Sequence, residues 1–171
     1  MEKAIKVFKF GGAALRDAAA IENTAKILRR QVGQPLVVVV SAMGKNTDAL
    51  EAVVAAHARQ DGTAIDNFNA IKAWHYALIR QLLGESHEVY DQVNDLFVEV
   101  DWVLEEPPHD NYDYMYDQIV PVGELVASRI VGAYLNQAGL PTDWLDARDV
   151  VRTDNRYREG WVQWPETEAR A

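Results

Sequence analysis

The sequence predicts an α/β fold, a sandwich of helices about a mostly parallel sheet, and three observations carry that expectation. Lys6–Phe10 is a short β-rich run ending at Gly11-Gly12, and Leu36–Val40 is an uninterrupted apolar run, Leu-Val-Val-Val-Val, introduced by Pro35. Between them, Ile21, Ala25, Leu28 and Val32 are spaced for one buried helical face. Strand, helix, strand in that order is a βαβ unit, which takes a right-handed crossover. An apolar run without alternation is the pattern of a strand buried on both faces of a parallel sheet.

The remaining elements follow in chain order. The first helix is expected to be capped near Asp17 and stopped by Gly33. After the second strand comes SAMGKNT, then a helix from about Asp48 that carries Leu50, Val53, Val54 and His57 and ends at Gly62. Asp48 and Glu51 have capping-box spacing, with Asp in place of the usual Ser or Thr. A third helix runs from about Ile65 with Phe68, Ile71, His75, Leu78 and Leu82 on one face. A fourth, after Gly84, carries Val89, Val93, Leu96, Phe97, Val100 and Val103 and is closed by Pro107-Pro108. The segment HDNYDYMYDQ has no clear period and reads as an acidic, aromatic loop or short turn. A fifth helix starts near Pro121, with Val122, Leu125, Val126, Arg129, Ile130, Ala133 and Tyr134, and ends at Gly139. Thr142–Leu145 reads as a third strand, and the final WVQWPETEARA loses all periodicity. The sheet is short for five helices, so the sandwich is expected to be incomplete.

Composition narrows the function classes. The 171 residues hold 17 Lys plus Arg against 26 Asp plus Glu, a formal charge of −9. With 49 % hydrophobic and 25 % charged residues, the chain falls among ordinary single globular domains. Nucleic acid is not the expected partner, because phosphate backbones demand clustered Lys and Arg. The absence of cysteine removes disulfides, thiolate nucleophiles and Cys-ligated zinc. The start, MEKAIKVFKF, is broken by Lys3, Lys6 and Lys9, so no secretory core is read there. The longest strongly apolar run, Leu36–Val40, falls far short of a membrane span. The expectation is a cytoplasmic protein without a membrane partner.

Three segments are candidates for chemistry. Lys9-Phe10-Gly11-Gly12 lies where a strand gives way to a helix, the place where open α/β sheets bind ligands. Paired glycines let a backbone approach an anion, the next helix offers unpaired N–H groups, and Lys9 adds a positive charge. The ordinary alternative is a tight turn with a solvated lysine. Ser41 to Thr47 lies at the next strand end, with hydroxyls at both ends, and reads otherwise as a polar loop with Thr47 as cap. Gly123-Glu124 opens the fifth helix, where a carboxylate either complements the helix dipole or holds a ligand ammonium. Arg129 shares that helix's apolar face and is read as packing its stem there. Two loops after two adjacent strands meet at one sheet edge, and that coincidence outweighs either loop. His57, His75, His87 and His109 lack HxxxH or HExxH spacing, and His75 sits on an apolar face as a core histidine. Asp110, Asp113 and Asp117 lack the spacing of a calcium loop, so no protein-held metal is expected.

KFGGAAL after the first strand, VVVSAMGKNTDAL after the second, and VGELVASRIVGAYLNQAGLPTDWLDARDVVRTD later resemble, in this order, the N-terminal part of the aspartate kinases of the amino-acid kinase family. The resemblance covers nearly all of the chain and implies a three-layer α/β/α sandwich. It implies ATP-dependent phosphorylation of the side-chain carboxylate of L-aspartate to 4-phospho-L-aspartate, in the route to lysine, methionine and threonine, with Mg²⁺ arriving on the nucleotide. Carried over by motif, Lys9 would neutralise the transferring phosphoryl group, and Phe10, Gly11, Gly12 and Ser41 would line the phosphate site. Thr47 would hold a substrate carboxylate and Glu124 the substrate ammonium. The family usually reads KFGGTS, whereas this chain has Ala13 and Ala14. By the same resemblance, residues 1–171 are the N-terminal part of the kinase domain. A nucleotide-base pocket, a second phosphate-stabilising lysine, a GRGGSD-like motif and paired ACT regulatory domains would lie outside them. A homo-oligomer is expected. Glutamate 5-kinases and acetylglutamate kinases share the fold, but SAMGKNTDAL and GELVASR favour the aspartate kinases. A non-catalytic ligand-binding or oligomerisation domain is the reading that Ala13 and Ala14 support.

Overall fold

The structure, a computed structural model, describes residues 4–171, so the Lys3 of the leader reading lies outside the described residues. Strands β1 (Lys6–Phe10) and β2 (Leu36–Val40) pair in parallel, with Lys6 opposite Leu36 and Phe10 opposite Val40. A 3-10 turn (Gly12–Leu15) and helix α1 (Ala18–Arg29) connect them. Asp17 caps α1 as expected, its carboxylate accepting the Ala20 N–H at 2.8 Å. Ile21, Ala25 and Leu28 are buried beneath it. Val32 is not, because α1 ends before it and leaves it 70 % exposed.

The strand reading of Leu36–Val40 holds, but burial on both faces does not. Phe8, Phe10, Leu36, Val38 and Val40 lean on the core, while Val37 and Val39 on the opposite face are each 46 % exposed. The reason is the number of layers: this sheet has two strands among the described residues, and its second face carries no helix. The expected third strand, Thr142–Leu145, is also absent. Asn136 takes the place of a neighbouring strand, its side chain accepting the Thr142 N–H at 2.8 Å and donating to the Thr142 carbonyl at 2.9 Å.

Helices α2 (Asn46–Arg59), α3 (Ala64–Leu83), α4 (Val89–Glu105), α5 (Tyr112–Ile119) and α6 (Val122–Gln137) form the body. Helix α2 begins before the expected Asp48, with Lys45 at its N-cap. Asp48 therefore complements the dipole from the first turn instead of closing a capping box, and Thr47 is no cap. Its other end comes at Arg59, where Gln60 turns left-handed, ahead of Gly62. Helix α5 replaces the loop expected for HDNYDYMYDQ. The Asn111 side chain caps it, accepting the N–H groups of Asp113 and Tyr114, and Met115 and Ile119 bury one face. Short helices α7 (Ala147–Val150) and α8 (Trp164–Glu168) follow, the latter where no period was legible. An antiparallel bridge between Thr153 and Val162 closes a hairpin between them.

Phe68 and Phe97 meet edge to face at 5.6 Å in the centre of the helical body. His75 is wholly buried beside them, as its apolar setting implied. Its Nδ1–H donates to the Ile71 carbonyl at 2.8 Å, and Nε2 has no partner. Burial holds its pKa down at about 4. Among the described residues no helix is long and apolar enough to cross a membrane.

Candidate functional site

The register of β1 and β2 makes both strands end side by side, so the loops that follow them leave the sheet together. The Ser41 N–H donates to the Phe10 carbonyl at 3.1 Å, and the Gly44 N–H donates to the Gly12 carbonyl at 3.0 Å. Gly12 is required by this contact, since a Cβ there would stand 2.6 Å from the Gly44 carbonyl oxygen. Phe10 sends its ring into the core. The N–H groups of Gly12 and Ala13, at the start of the 3-10 turn, carry no hydrogen bond within the described residues.

Lys9 is exposed on the open face of the sheet, beside Val39. Its Nζ lies 3.4 Å from the point where a Cβ on Gly11 would be, so the cation folds over the glycine loop. Among the described residues it makes no ion pair. A ligand oxygen reaching the loop would therefore meet an uncompensated positive charge and unpaired N–H groups together, which fits a phosphate.

Helix α6 brings the third segment in. One oxygen of Glu124 accepts the Ala42 N–H at 3.0 Å across 82 residues of sequence. Gly123 makes the approach possible, because a Cβ would stand 2.9 Å from Leu50 Cδ1 and 3.0 Å from Ala42 Cβ. Asn46, buried, donates to the Met43 carbonyl at 2.8 Å and stiffens the same loop. The hydroxyls of Ser41 and Thr47 are half-buried, and neither has a hydrogen-bond partner among the described residues. The structure thus brings Lys9, Gly11, Gly12, Ser41, Thr47 and Glu124 to one end of the sheet. A cavity of about 370 Å³ lies beside the loop, lined by Ala13, Ala14, Arg16, Asn23 and Thr24 among others.

Other candidates go elsewhere. Arg129 stacks on Trp144, with its guanidinium carbon 3.3 Å from the ring centroid, so its packing role is the one observed. Asp113 and Asp117 both bond Arg158. Among the described residues no group of three or more His, Asp or Glu side chains is placed to hold a metal ion. Sequence reasoning passed over Tyr116, whose hydroxyl donates to Glu51 at 2.6 Å. Asn111 four residues before Met115, with Ile119 four beyond, was the signal for the helix that carries it.

Residues 4–163 match the amino acid kinase family. The chain belongs to that family. It is 29 % identical over 153 residues to bifunctional aspartokinase/homoserine dehydrogenase 2 of Escherichia coli (strain K12), covering 89 % of this chain and 19 % of that protein. To lysine-sensitive aspartokinase 3 of the same organism it is 26 % identical, covering 90 % and 33 %. The fold agrees with the crystal structure of E. coli aspartokinase III in complex with aspartate and ADP at a TM-score of 0.85 and 23 % identity, over 98 % of this chain and 37 % of that one. The fold is therefore the α/β fold of the amino-acid kinases, here with a small parallel sheet. The chain spans about a fifth of the first curated relative and a third of the second.

Proposed function

We propose that this chain supplies the acceptor side and the phosphate loop of an aspartate kinase. L-aspartate's side-chain carboxylate attacks the γ-phosphorus of ATP. The new P–O bond makes 4-phospho-L-aspartate, and the bond to the β-phosphate oxygen breaks to release ADP. No protein nucleophile is needed, so catalysis is positioning plus charge stabilisation. Lys9 neutralises the transferring group, while the N–H groups at Gly11-Gly12 and the Ser41 hydroxyl line its oxygens. Glu124 spends one oxygen on Ala42 and keeps the other for the substrate ammonium. Thr47 takes a substrate carboxylate. Mg²⁺, carried by the nucleotide, screens the phosphates, and no side chain of this chain is assigned to it.

What supports this reading most is the Glu124–Ala42 hydrogen bond, which joins the ammonium-binding candidate to the loop beside Gly12. A segment outside these residues is proposed to bring the nucleotide-base pocket and a second cationic clamp, since such a clamp is worth roughly a thousandfold in rate. The open sheet face at Val7, Val37 and Val39 is proposed as a surface for self-association. Light scattering of wild type and Val37→Lys reads this directly: the variant is expected to be the smaller species.

The test is ADP release with Mg-ATP on the 171-residue chain and on the longest reading frame that contains it. The longer product is expected to turn over with L-aspartate and to reject an analogue lacking the ammonium, because Glu124 would be left unpaired. The 171 residues alone are expected to be nearly silent. Turnover with L-glutamate or N-acetylglutamate instead would assign the chain to another branch of the family, and saturable binding without turnover in either product would make it a binding domain.

A further inference from the structure

Tyr116 has no part in the reading above, yet it ties three elements together at the edge of the site. Its hydroxyl donates to Glu51 Oε1 at 2.6 Å. Glu51 stands one turn beyond Thr47 on the same face of α2. Leu50, the neighbour of Glu51, is the side chain against which Gly123 is seated. The turn of α2 that carries Thr47 therefore rests on the end of α6 that carries Glu124.

Behind Tyr116 stands Arg158, from the C-terminal hairpin. Its guanidinium carbon lies 4.2 Å from the centroid of the Tyr116 ring. Its Nη1–H donates to Asp113 at 3.2 Å, and its backbone N–H donates to Asp117 at 2.9 Å. Arg158 adopts φ 63°, in the left-handed region that disfavours any residue with a Cβ. Such a conformation persists only where the surroundings fix it, and three contacts do so here. The hydrogen bond to Glu51 and burial push the Tyr116 phenol up, with the Glu51 and Glu124 charges adding to them and Arg158 opposing. Tyr116 therefore feels both carboxylates of the site region.

We propose that Tyr116 is a positioning residue of the acceptor site: Arg158 holds its ring from the hairpin, and its hydroxyl holds Glu51 and with it the turn of α2 that carries Thr47. The proposal rests on the reading of Thr47 and Glu124 as the acceptor-binding pair. The Tyr116 hydroxyl keeps its proton and donates a hydrogen bond to Glu51, while the second oxygen of Glu124 accepts no hydrogen bond among the described residues. The C-terminal hairpin thereby acts on substrate binding without touching substrate.

The experiment is NMR on the 171-residue chain, reading amide exchange and an L-aspartate titration. Two amides report on the site. Ala42 N–H donates to Glu124, and Glu51 N–H closes the first turn of α2 on Thr47. Tyr116→Phe and Glu51→Gln are each expected to speed exchange at both amides and to weaken L-aspartate by about tenfold, the scale of a lost hydrogen bond to a charged group. The double variant is expected to be no worse than either single one. Arg158→Gly is expected to speed exchange as well, although it relieves the backbone. The Phe97 amide, deep in α4, is expected to be unchanged, which separates a local effect from loss of the fold. Unchanged exchange at Ala42 and Glu51 in Tyr116→Phe would overturn the proposal, as would slower exchange in Arg158→Gly. If L-aspartate moves no signal in the wild type, the acceptor reading falls, while the exchange rates still decide whether Tyr116 fixes the turn.

Discussion

Valine behaves in opposite ways in the helical body and in the β1–β2 ribbon. Val53, Val54, Val89 and Val93 are fully buried in α2 and α4, whereas Val37 and Val39 are each 46 % exposed and Val7 is 65 % exposed. The side chains are the same, so the difference lies in what packs above them. Helices α2 to α6 cover one another, and the ribbon is covered on one face alone. Residue type records what a surface prefers, and the number of layers decides whether it is satisfied. The candidate site sits on this seam. Closely packed helix ends give it a fixed floor at Leu50, Gly123 and Glu124, and the open ribbon leaves Lys9 exposed.

The widest contrast in stability is expected between the two regions themselves. Phe68→Ala or Phe97→Ala is expected to cost about 3–5 kcal/mol in urea unfolding, because each empties a close-packed ring site. Val39→Ala is expected to cost below ~1 kcal/mol, since half its surface already meets water. Equal costs would break the comparison.

Acid sharpens it. The folded pKa of His75, about 4, lies below the unfolded value of 6.5, so below 6.5 the unfolded state binds the proton more readily. Stability is full above that pH and is lost as pH falls towards 4, by up to about 3 kcal/mol. His75→Phe is expected to flatten the slope of the urea midpoint between pH 7 and 4.5. A slope unchanged in that variant would place the acid-sensitive group elsewhere.

At the seam, Gly123→Ala is expected to cost about 1–3 kcal/mol through overpacking against Leu50 and Ala42. It should also loosen the Ala42 amide in hydrogen exchange, because α6 must withdraw. A variant as stable as wild type, with that amide still protected, would show that α6 is not seated against Leu50 and Ala42 at Gly123.

Where the sequence repeats a helical period over several turns, the elements were legible: α1, α3, α4 and α6 were each read from spacing alone. Helix α5 was not, because its buried face is only Met115 and Ile119 and its cap lies in a segment rich in acids and tyrosine. Thr142–Leu145 looked like a strand because β-rich composition cannot reveal that the Asn136 side chain already takes its hydrogen bonds. The three site segments were each nameable in advance, since glycines, a lysine and hydroxyls after a strand have local signatures. Their joints were not. A hydrogen bond from Ala42 to Glu124, or from Tyr116 to Glu51 with Arg158 behind it, links residues far apart and leaves no local pattern.

Lys9, held over the glycine loop on the open face of the sheet, is proposed to stabilise charge in phosphoryl transfer. Lys9 is exposed, so Lys9→Ala is expected to move the urea midpoint by no more than ~0.5 kcal/mol in stability. The decisive measurement is steady-state ADP release by that variant in the longest reading frame that contains this chain. In Lys9→Ala, kcat is expected to fall by about a hundredfold or more while KM for L-aspartate changes little, because the interaction is made mainly in the transition state. A near-normal kcat would contradict it.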